Sequence, residues 1–300
     1  MAAIETVELS KRYSGAKTYA LTNLSLKVEP GEVYGFLGAN GAGKSTTIRT
    51  LLNFIQPTRG SAAIMGNDIV KDSVAVKRDV GYLAGEVALY RKMTGRHFLK
   101  YMAALQPPKH REYLKHLVEV FHADLNRPLS ELSKGNRQKI GVIQAFMHEP
   151  AVLILDEPTS GLDPLMQEAF YKEVKTAKTR GAAVFVSSHN MAEVQRMCDR
   201  VGFIREGKLV AEQSIADLTA TAAQTFDITF ADTAPLADLQ HVKHLTVKSL
   251  APNRITVHVQ GDLRPLLQVL ARSRVKRLDK PEVNLEEEFL HFYEQKETER

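Results

Sequence analysis

Gly38-Ala39-Asn40-Gly41-Ala42-Gly43-Lys44-Ser45-Thr46 decides the fold of this chain. The stretch fits the template Gly-x4-Gly-Lys-[Ser/Thr], followed by a second Thr. The apolar residues before it, Val33-Tyr34-Gly35-Phe36-Leu37, read as a buried strand, and residues 47–52 after it have helical spacing. Strand, glycine loop and helix are the context in which this motif is a phosphate-binding site. Glycines let the backbone wrap an anion closely with N–H groups turned inward. The new helix offers its positive N-terminal end to the same anion. On this reading the backbone of 38–46 cradles the phosphates of a nucleotide. Lys44 reaches the β- and γ-phosphates, and Ser45 sets its hydroxyl on Mg²⁺.

Outward from the loop, residues 4–9 and 21–28 alternate in strand fashion, and Pro30-Gly31 closes the second run. Residues 61–65 and 80–83 read as further short strands. From about 94 to 147 the pattern is helical, with apolar residues three and four apart in 98–105 and 113–121 and an interruption at Pro107-Pro108. Residues 151–155 are continuously apolar, as expected of a parallel strand covered on both faces. A helix over about 165–179 and a buried strand at 182–186 complete a β-α-β unit. A helix near 191–198 and a hairpin of 201–204 and 208–211, joined by Arg205-Glu206-Gly207, follow. After about Leu218 the rhythm changes. Residues 226–230, 245–248 and 254–259 alternate like half-exposed strands, and 263–270 and 285–292 read as short helices. The expected division is a domain over 1–217, with a helical subdomain at about 86–147, and a small α+β accessory domain over 218–300.

Composition narrows the function classes. The chain has 300 residues, 44% apolar, with a formal charge of +5. No run approaches the roughly 18 apolar residues a membrane helix needs. The first residues lack a basic flank and apolar stretch, so no secretory signal is expected. The single cysteine, Cys198, excludes an internal disulfide, fits a reducing compartment and reads as a small core residue. The mild charge, the absence of Trp and the lack of interleaved aromatic and basic residues point away from nucleic acid. Arg272, Arg274, Lys276, Arg277 and Lys280 read as a solvated face. His241, His244 and His258 lack the company of a metal site.

Leu153-Ile154-Leu155-Asp156-Glu157 puts two carboxylates at the carboxyl end of a buried strand, where ligands bind in open α/β sheets. Asp156 is suited to hold Mg²⁺, through water, and Glu157 to polarise an attacking water. Phosphoryl transfer asks mainly for positioning and charge neutralisation, so one cation, one metal and one carboxylate suffice.

These residues, with the segments that follow them in order, resemble the nucleotide-binding subunit of an ABC transporter over about residues 4–215. Leu132-Ser133-Lys134-Gly135-Asn136-Arg137-Gln138 occupies the place of the family signature Leu-Ser-Gly-Gly-Gln; Ser133 and Gly135 match, and Lys134 and Asn136 depart. The resemblance implies that this segment opens a helix toward the γ-phosphate held by a second copy, so that Ser133, Gly135 and Asn136 bind ATP in trans. A Ser hydroxyl and helix N–H groups suit an anion, and an ordinary N-cap asks for the same Ser. Ser160-Gly161-Leu162-Asp163 resembles the D-loop that touches the opposite subunit. Ser188-His189 resembles the switch, with His189 on the γ-phosphate beside Glu157 and Lys44. Tyr13 stands where the family stacks an aromatic on adenine; the alternative is an exposed strand-end Tyr. Where the family carries a Gln that ligates Mg²⁺ and signals to the membrane partner, this chain has Gly85-Glu86, and Glu86 is expected to take over that role. Residues 81–90, 93–96, 133–139 and 285–290 are similar to the ATPases of ABC-2 type exporters of drugs, antibiotics or lipids.

The fold class expected is α/β: a P-loop NTPase core of ABC type, with a mixed sheet covered by helices on both faces, an antiparallel β lead-in, a helical subdomain and a small α+β C-terminal domain. The resemblance implies an ATPase using ATP and Mg²⁺. It implies a pair of copies and a separate membrane permease that docks around 86–130 and holds the chain at the cytoplasmic face of the membrane. The C-terminal domain is expected to stabilise or regulate the pair. Two other readings stand beside this one: a soluble ABC ATPase outside transport, and a nucleotide-gated regulatory module.

Overall fold

The computed structural model describes residues 1–85, 90, 92–222, 225–240, 242, 244–259 and 261–280. Glu86, His241 and the helix expected at 285–292 lie outside the described residues. The chain divides into two compact units, Met1–Gln213 and Ser214–Arg300.

In chain order the first unit carries β1 (Ile4–Lys11), β2 (Leu21–Val28), β3 (Val33–Leu37), α1 (Lys44–Leu51), β4 (Arg59–Ile64), β5 (Asn67–Asp68), α2 (Ser73–Asp79) and β6 (Val80–Leu83). There follow α3 (Gly95–Leu105), α4 (Arg111–Phe121), α5 (Lys134–Phe146), β7 (Val152–Asp156), α6 (Pro164–Thr179), β8 (Ala183–Ser188), α7 (Met191–Met197), β9 (Arg200–Arg205) and β10 (Lys208–Ser214). Six strands form one sheet in the order β10-β9-β3-β8-β7-β6. The pairs β3–β8, β3–β9, β7–β8 and β6–β7 are parallel. Every residue of β3, β7 and β8 is buried, which explains why these strands run apolar rather than alternating up to their carboxyl ends, where Asp156, Ser187 and Ser188 stand. Register matters for the site: Leu37 pairs with Ser188, and Asp156 with Ser187. The loops after β3, β7 and β8 therefore leave the sheet side by side, at its carboxyl edge.

The second sheet, β2-β1-β4-β5, is antiparallel. Its inner residues, including Ile4, Leu9, Leu21, Leu24 and Ile64, share a core with Tyr34, Phe36, Ile48 and Phe185. Tyr34 stacks on Phe185 at 5.8 Å between ring centroids, and Phe36 meets the same ring at 5.2 Å. This core fixes the strand that leads into the phosphate loop.

Helices α3, α4 and α5 form the helical part. Thr94 caps α3, accepting the His97 N–H, and Ser133 caps α5, accepting the Asn136 N–H. Where α4 meets α6, the buried Glu173 accepts the Tyr113 hydroxyl at 2.9 Å and lies 2.9 Å from His116 Nε2.

The second unit carries α8 (Ile215–Ala222), β11 (Thr225–Phe230), α9 (Leu236–Gln240), β12 (Leu245–Ala251), β13 (Arg254–Val259), α10 (Arg264–Ala271) and β14 (Val275–Asp279). After α8 this is a β-α-β-β-α-β sequence with strand order β12-β13-β11-β14, antiparallel throughout, which is the split β-α-β arrangement. Its core is Ile228, Phe230, Leu239, Ile255, Val257, Val259, Leu266 and Leu270. Sequence periodicity does not reveal β5, α2, α8, α9 or β14. All but α8 run seven residues or fewer, too short for a clear period, and β14 is exposed along most of its length. The basic stretch 272–280 contains β14, with Arg277 paired to Asp279 at 2.6 Å. The chain passes from the first unit to the second between Gln213 and Ser214, at the last residue of β10, ahead of the change of rhythm near Leu218, and α8 falls in the second unit.

Candidate nucleotide site

The phosphate loop links β3 to α1. Gly38 is glycine by necessity: a Cβ there would lie 2.4 Å from the Ile204 carbonyl oxygen. Gly43, at the N-terminus of α1, has φ +115, which L side chains rarely adopt. A pocket is lined by Ala20, Ala39, Asn40, Gly41, Gly43, Lys44, Ser45, Thr46 and Glu157. The Lys44 ammonium is buried in the loop's curve and donates to the carbonyls of Gly38 at 2.6 Å and Ala39 at 3.3 Å. Lys44 Nζ also lies 3.5 Å from Glu157 Oε1.

Ser45 at the start of α1 and Asp156 at the end of β7 converge: the Ser45 hydroxyl donates to Asp156 Oδ2 at 3.1 Å. The other oxygen, Oδ1, accepts the Ser187 hydroxyl. Hard oxygen ligands from one carboxylate and one hydroxyl, beside a phosphate pocket, fit Mg²⁺, which keeps most of its shell as water and phosphate oxygens. Among the described residues no group of three or more His, Cys, Asp and Glu side chains is placed to hold a metal by itself. Gly85 lies against this carboxylate, where a Cβ would meet Asp156 Oδ2 at 3.4 Å.

Glu157 leaves β7 with φ 46, a left-handed backbone in a residue with a side chain. Its N–H donates to the Ser187 carbonyl at 3.1 Å and hydroxyl at 3.2 Å, and Glu157 Oε2 lies 2.9 Å from His189 Nδ1. Lys44, Glu157 and His189 thus form one row across three loops. Tyr13 reaches the same loop, its hydroxyl 3.4 Å from Thr46 Oγ1, with Lys11 Nζ 5.6 Å from its ring centroid.

The signature turn makes a different set of contacts. Ser133 Oγ accepts the Asn136 N–H at 3.2 Å. The Asn136 side-chain amide is used within the chain, accepting the Asp124 N–H at 3.0 Å and donating to the Asp124 carbonyl at 3.1 Å. Gly135 packs on residue 161: a Cβ there would lie 2.6 Å from the Gly161 carbonyl oxygen. Lys134, a departure from the family signature, donates to Ser160 Oγ at 3.0 Å. The turn 160–163 is closed by Leu162, which is buried, and by Asp163, which caps α6 by accepting the Met166 N–H at 3.1 Å. Sequence reasoning misses four participants: Ser187 on Asp156, Lys134 on Ser160, Gln138, which donates to the Pro158 carbonyl at 2.9 Å, and Glu193. Lys134 and Gln138 stand within the segment 132–138 and Ser187 beside Ser188, but nothing in those stretches names the partner of any of them.

Fold and site together define a P-loop nucleotide-binding protein. The family model described as ABC transporter matches residues 21–160. The bacitracin transport ATP-binding protein BcrA of Bacillus licheniformis is 35% identical over 212 residues, 70% of this chain and 69% of that protein. The probable multidrug ABC transporter ATP-binding protein YbhF of Escherichia coli is 34% identical over 225 residues, 73% of this chain but 38% of that protein's length. A solved dimeric ATP-binding cassette, MJ0796, in a post-hydrolysis state with ADP and Pi, shares the fold: TM-score 0.64 at 20% identity, covering 71% of this chain and 98% of that one. The chain belongs to the ATP-binding proteins of ABC transporters, and its activity is ATP hydrolysis.

Proposed function

We propose that the chain energises export through a separate membrane permease, as a head-to-tail pair of copies that closes on ATP. The observation that carries this reading is the convergence of Lys44, Ser45, Asp156, Glu157 and His189 at the carboxyl edge of three neighbouring parallel strands. The backbone of 38–46 cradles the phosphates, and Lys44 neutralises the β- and γ-phosphates. Glu157 accepts the proton of the attacking water, and His189, held on Glu157, contacts the γ-phosphate. Ser45 and Asp156 would hold Mg²⁺, which when bound neutralises phosphate charge. Tyr13 offers its ring to adenine. Glu86 stands in for the family's Gln.

Several observations support the paired state. The N-terminus of α5, with Ser133 and Gly135, presents a helix end suited to an anion. Its side-chain contacts run to Asp124 and to Ser160 of the D-loop-like turn. A cassette of the same fold is dimeric. In the pair, Ser133 and Gly135 meet the γ-phosphate of the other copy, and Asn136 contributes through the backbone that its side chain braces. The names of BcrA and YbhF, for bacitracin and multidrug transport, support export. A separate permease supplies the membrane path in this reading; among the described residues no helix is long and apolar enough to cross a membrane. It docks around 86–130 and holds the chain at the cytoplasmic membrane face. The second unit stabilises or regulates the pair.

The test is ATP-dependent association of purified Glu157→Gln, with Mg²⁺ supplied or withheld, beside wild-type turnover. The expected result is a dimer trapped by ATP in the variant and steady turnover in the wild type. A variant that binds ATP and stays monomeric, beside a turning-over wild type, overturns the paired engine.

A further inference from the structure

Two loops leave the sheet side by side, one after β7 and one after β8, and they carry Glu157 and His189. Glu193, in the first turn of α7, fastens both. Its Oε1 accepts the Thr159 hydroxyl at 2.7 Å, and its Oε2 accepts the Ser188 hydroxyl at 2.9 Å. Ser188 Oγ also receives the Asn190 N–H at 3.0 Å, so the residues on either side of His189 are both tied to this carboxylate. Thr159 stands two residues beyond Glu157 and directly ahead of Ser160.

Burial separates this tie from the neighbouring one. Thr159 and Ser188 are 4% and 1% exposed. The Glu157 and His189 side chains, which meet at 2.9 Å, are 26% and 57% exposed. Those two must change partners when a γ-phosphate and a water enter between them. A contact that is broken in each turnover does not hold the spacing of the loops; a charge-assisted pair of hydrogen bonds from two buried residues to the half-buried Glu193 does. Glutamine in place of Glu193 replaces one acceptor oxygen by a donor. Either the Thr159 hydroxyl then loses the acceptor for its proton, or the Ser188 hydroxyl is left with only the long contact to the Asn190 carbonyl at 3.4 Å, and the loop carrying it shifts.

We infer that Glu193 is a positioning residue for ATP hydrolysis, the carboxylate that holds Glu157 and His189 in register and sets the start of the turn at 160–163. The inference rests on the roles of Glu157 and His189 proposed above. Its test is steady-state ATPase of the full chain as Glu193→Gln, Thr159→Val and Thr159→Ser, beside Glu157→Gln, with thermal melting of each. A displacement of about 1 Å at a reacting group costs up to about 100-fold in rate. A fall in kcat of about 10-fold or more is therefore expected for Glu193→Gln and Thr159→Val, with KM for ATP within about twofold. Thr159→Ser, which keeps the hydroxyl, recovers most of the rate. Wild-type kcat in either a folded Glu193→Gln or Thr159→Val overturns the inference, and so does Thr159→Ser falling as far as Thr159→Val. If Glu193→Gln fails to fold, the Thr159 pair decides alone. Full turnover in Glu157→Gln overturns the site reading itself, and an inactive Glu157→Gln beside an unaffected Glu193→Gln overturns only the inference.

Discussion

Gly135 shows how much a single residue can be asked to do. In the sequence it is one of three matches, with Leu132 and Ser133, to a family signature, where its lack of a side chain suits an approaching phosphate. In the structure the Gly161 carbonyl already stands where its Cβ would be, at 2.6 Å. Gly135→Ala must therefore push α5 and the 160–163 turn apart before any partner arrives. Turnover is expected to fall by about 10-fold or more, with ATP affinity at the phosphate loop unchanged, because the two are separate sites. Fluorescent-nucleotide binding beside steady-state ATPase checks this; equal losses in both would place the defect in folding. Ser133→Ala is expected to cost only about 1 kcal/mol of stability through the lost cap. Glu157 is the complementary case: its left-handed backbone, φ 46, is invisible in the sequence, although its carboxylate at the end of an apolar run is not.

At the scale of elements, the carboxyl end of α5 carries a titrating group that acts on stability. His148 is 5% exposed, and among the described residues its Nε2 has no hydrogen-bond partner. Burial, aided by the Lys109 charge, lowers its pKa from the ordinary 6.5, against the opposing pull of backbone hydrogen bonds to Val80 and Gln144. The folded protein thus holds this imidazole neutral, while the unfolded chain protonates it first on acidification. Its contribution to stability is fully present above pH 6.5 and is lost as pH falls through the lowered folded value. The urea midpoint of the wild type is expected to drop between pH 7.5 and 5.0 more steeply than that of His148→Leu. Parallel curves would remove His148 from the account. A second prediction concerns the contact of α4 with α6. Glu173→Leu leaves the half-buried Tyr113 hydroxyl without its acceptor and is expected to cost about 1–3 kcal/mol in denaturant unfolding, the ordinary penalty for an orphaned polar group.

On the scale of the whole molecule, two units with separate cores share one chain. The first builds its core between two sheets around Tyr34, Phe36 and Phe185; the second builds a smaller one around Phe230 and Ile255. Phe230 is 2% exposed, so Phe230→Ala is expected to cost about 3–5 kcal/mol within the second unit. Calorimetry should show the loss confined to one of two transitions, with ATP turnover per site retained. A single transition that moves as a whole would mean the units unfold together. If the second unit supports the pair of copies, the same variant weakens ATP-dependent dimerisation without changing nucleotide affinity, which analytical ultracentrifugation reads directly.

The sequence alone determined the parts whose chemistry is local. A glycine loop between an apolar strand and a helix, an Asp-Glu pair ending a second such strand and a His after a third are each written in a few consecutive residues, because backbone geometry and anion binding are short-range demands. Strands buried on both faces are equally legible, since burial forces an unbroken apolar run. Tertiary structure alone decided which distant groups share a hydrogen bond. Ser187 on Asp156, Lys134 on Ser160 and Glu193 between Thr159 and Ser188 span 31, 26, 34 and 5 residues of chain. No composition or period marks them, because what brings them together is the register of β7 against β8 and the packing of α5 and α7 on the loops that follow. The short elements of the second unit belong with these, for a strand such as β14 is made by its partner β11 and not by its own residues.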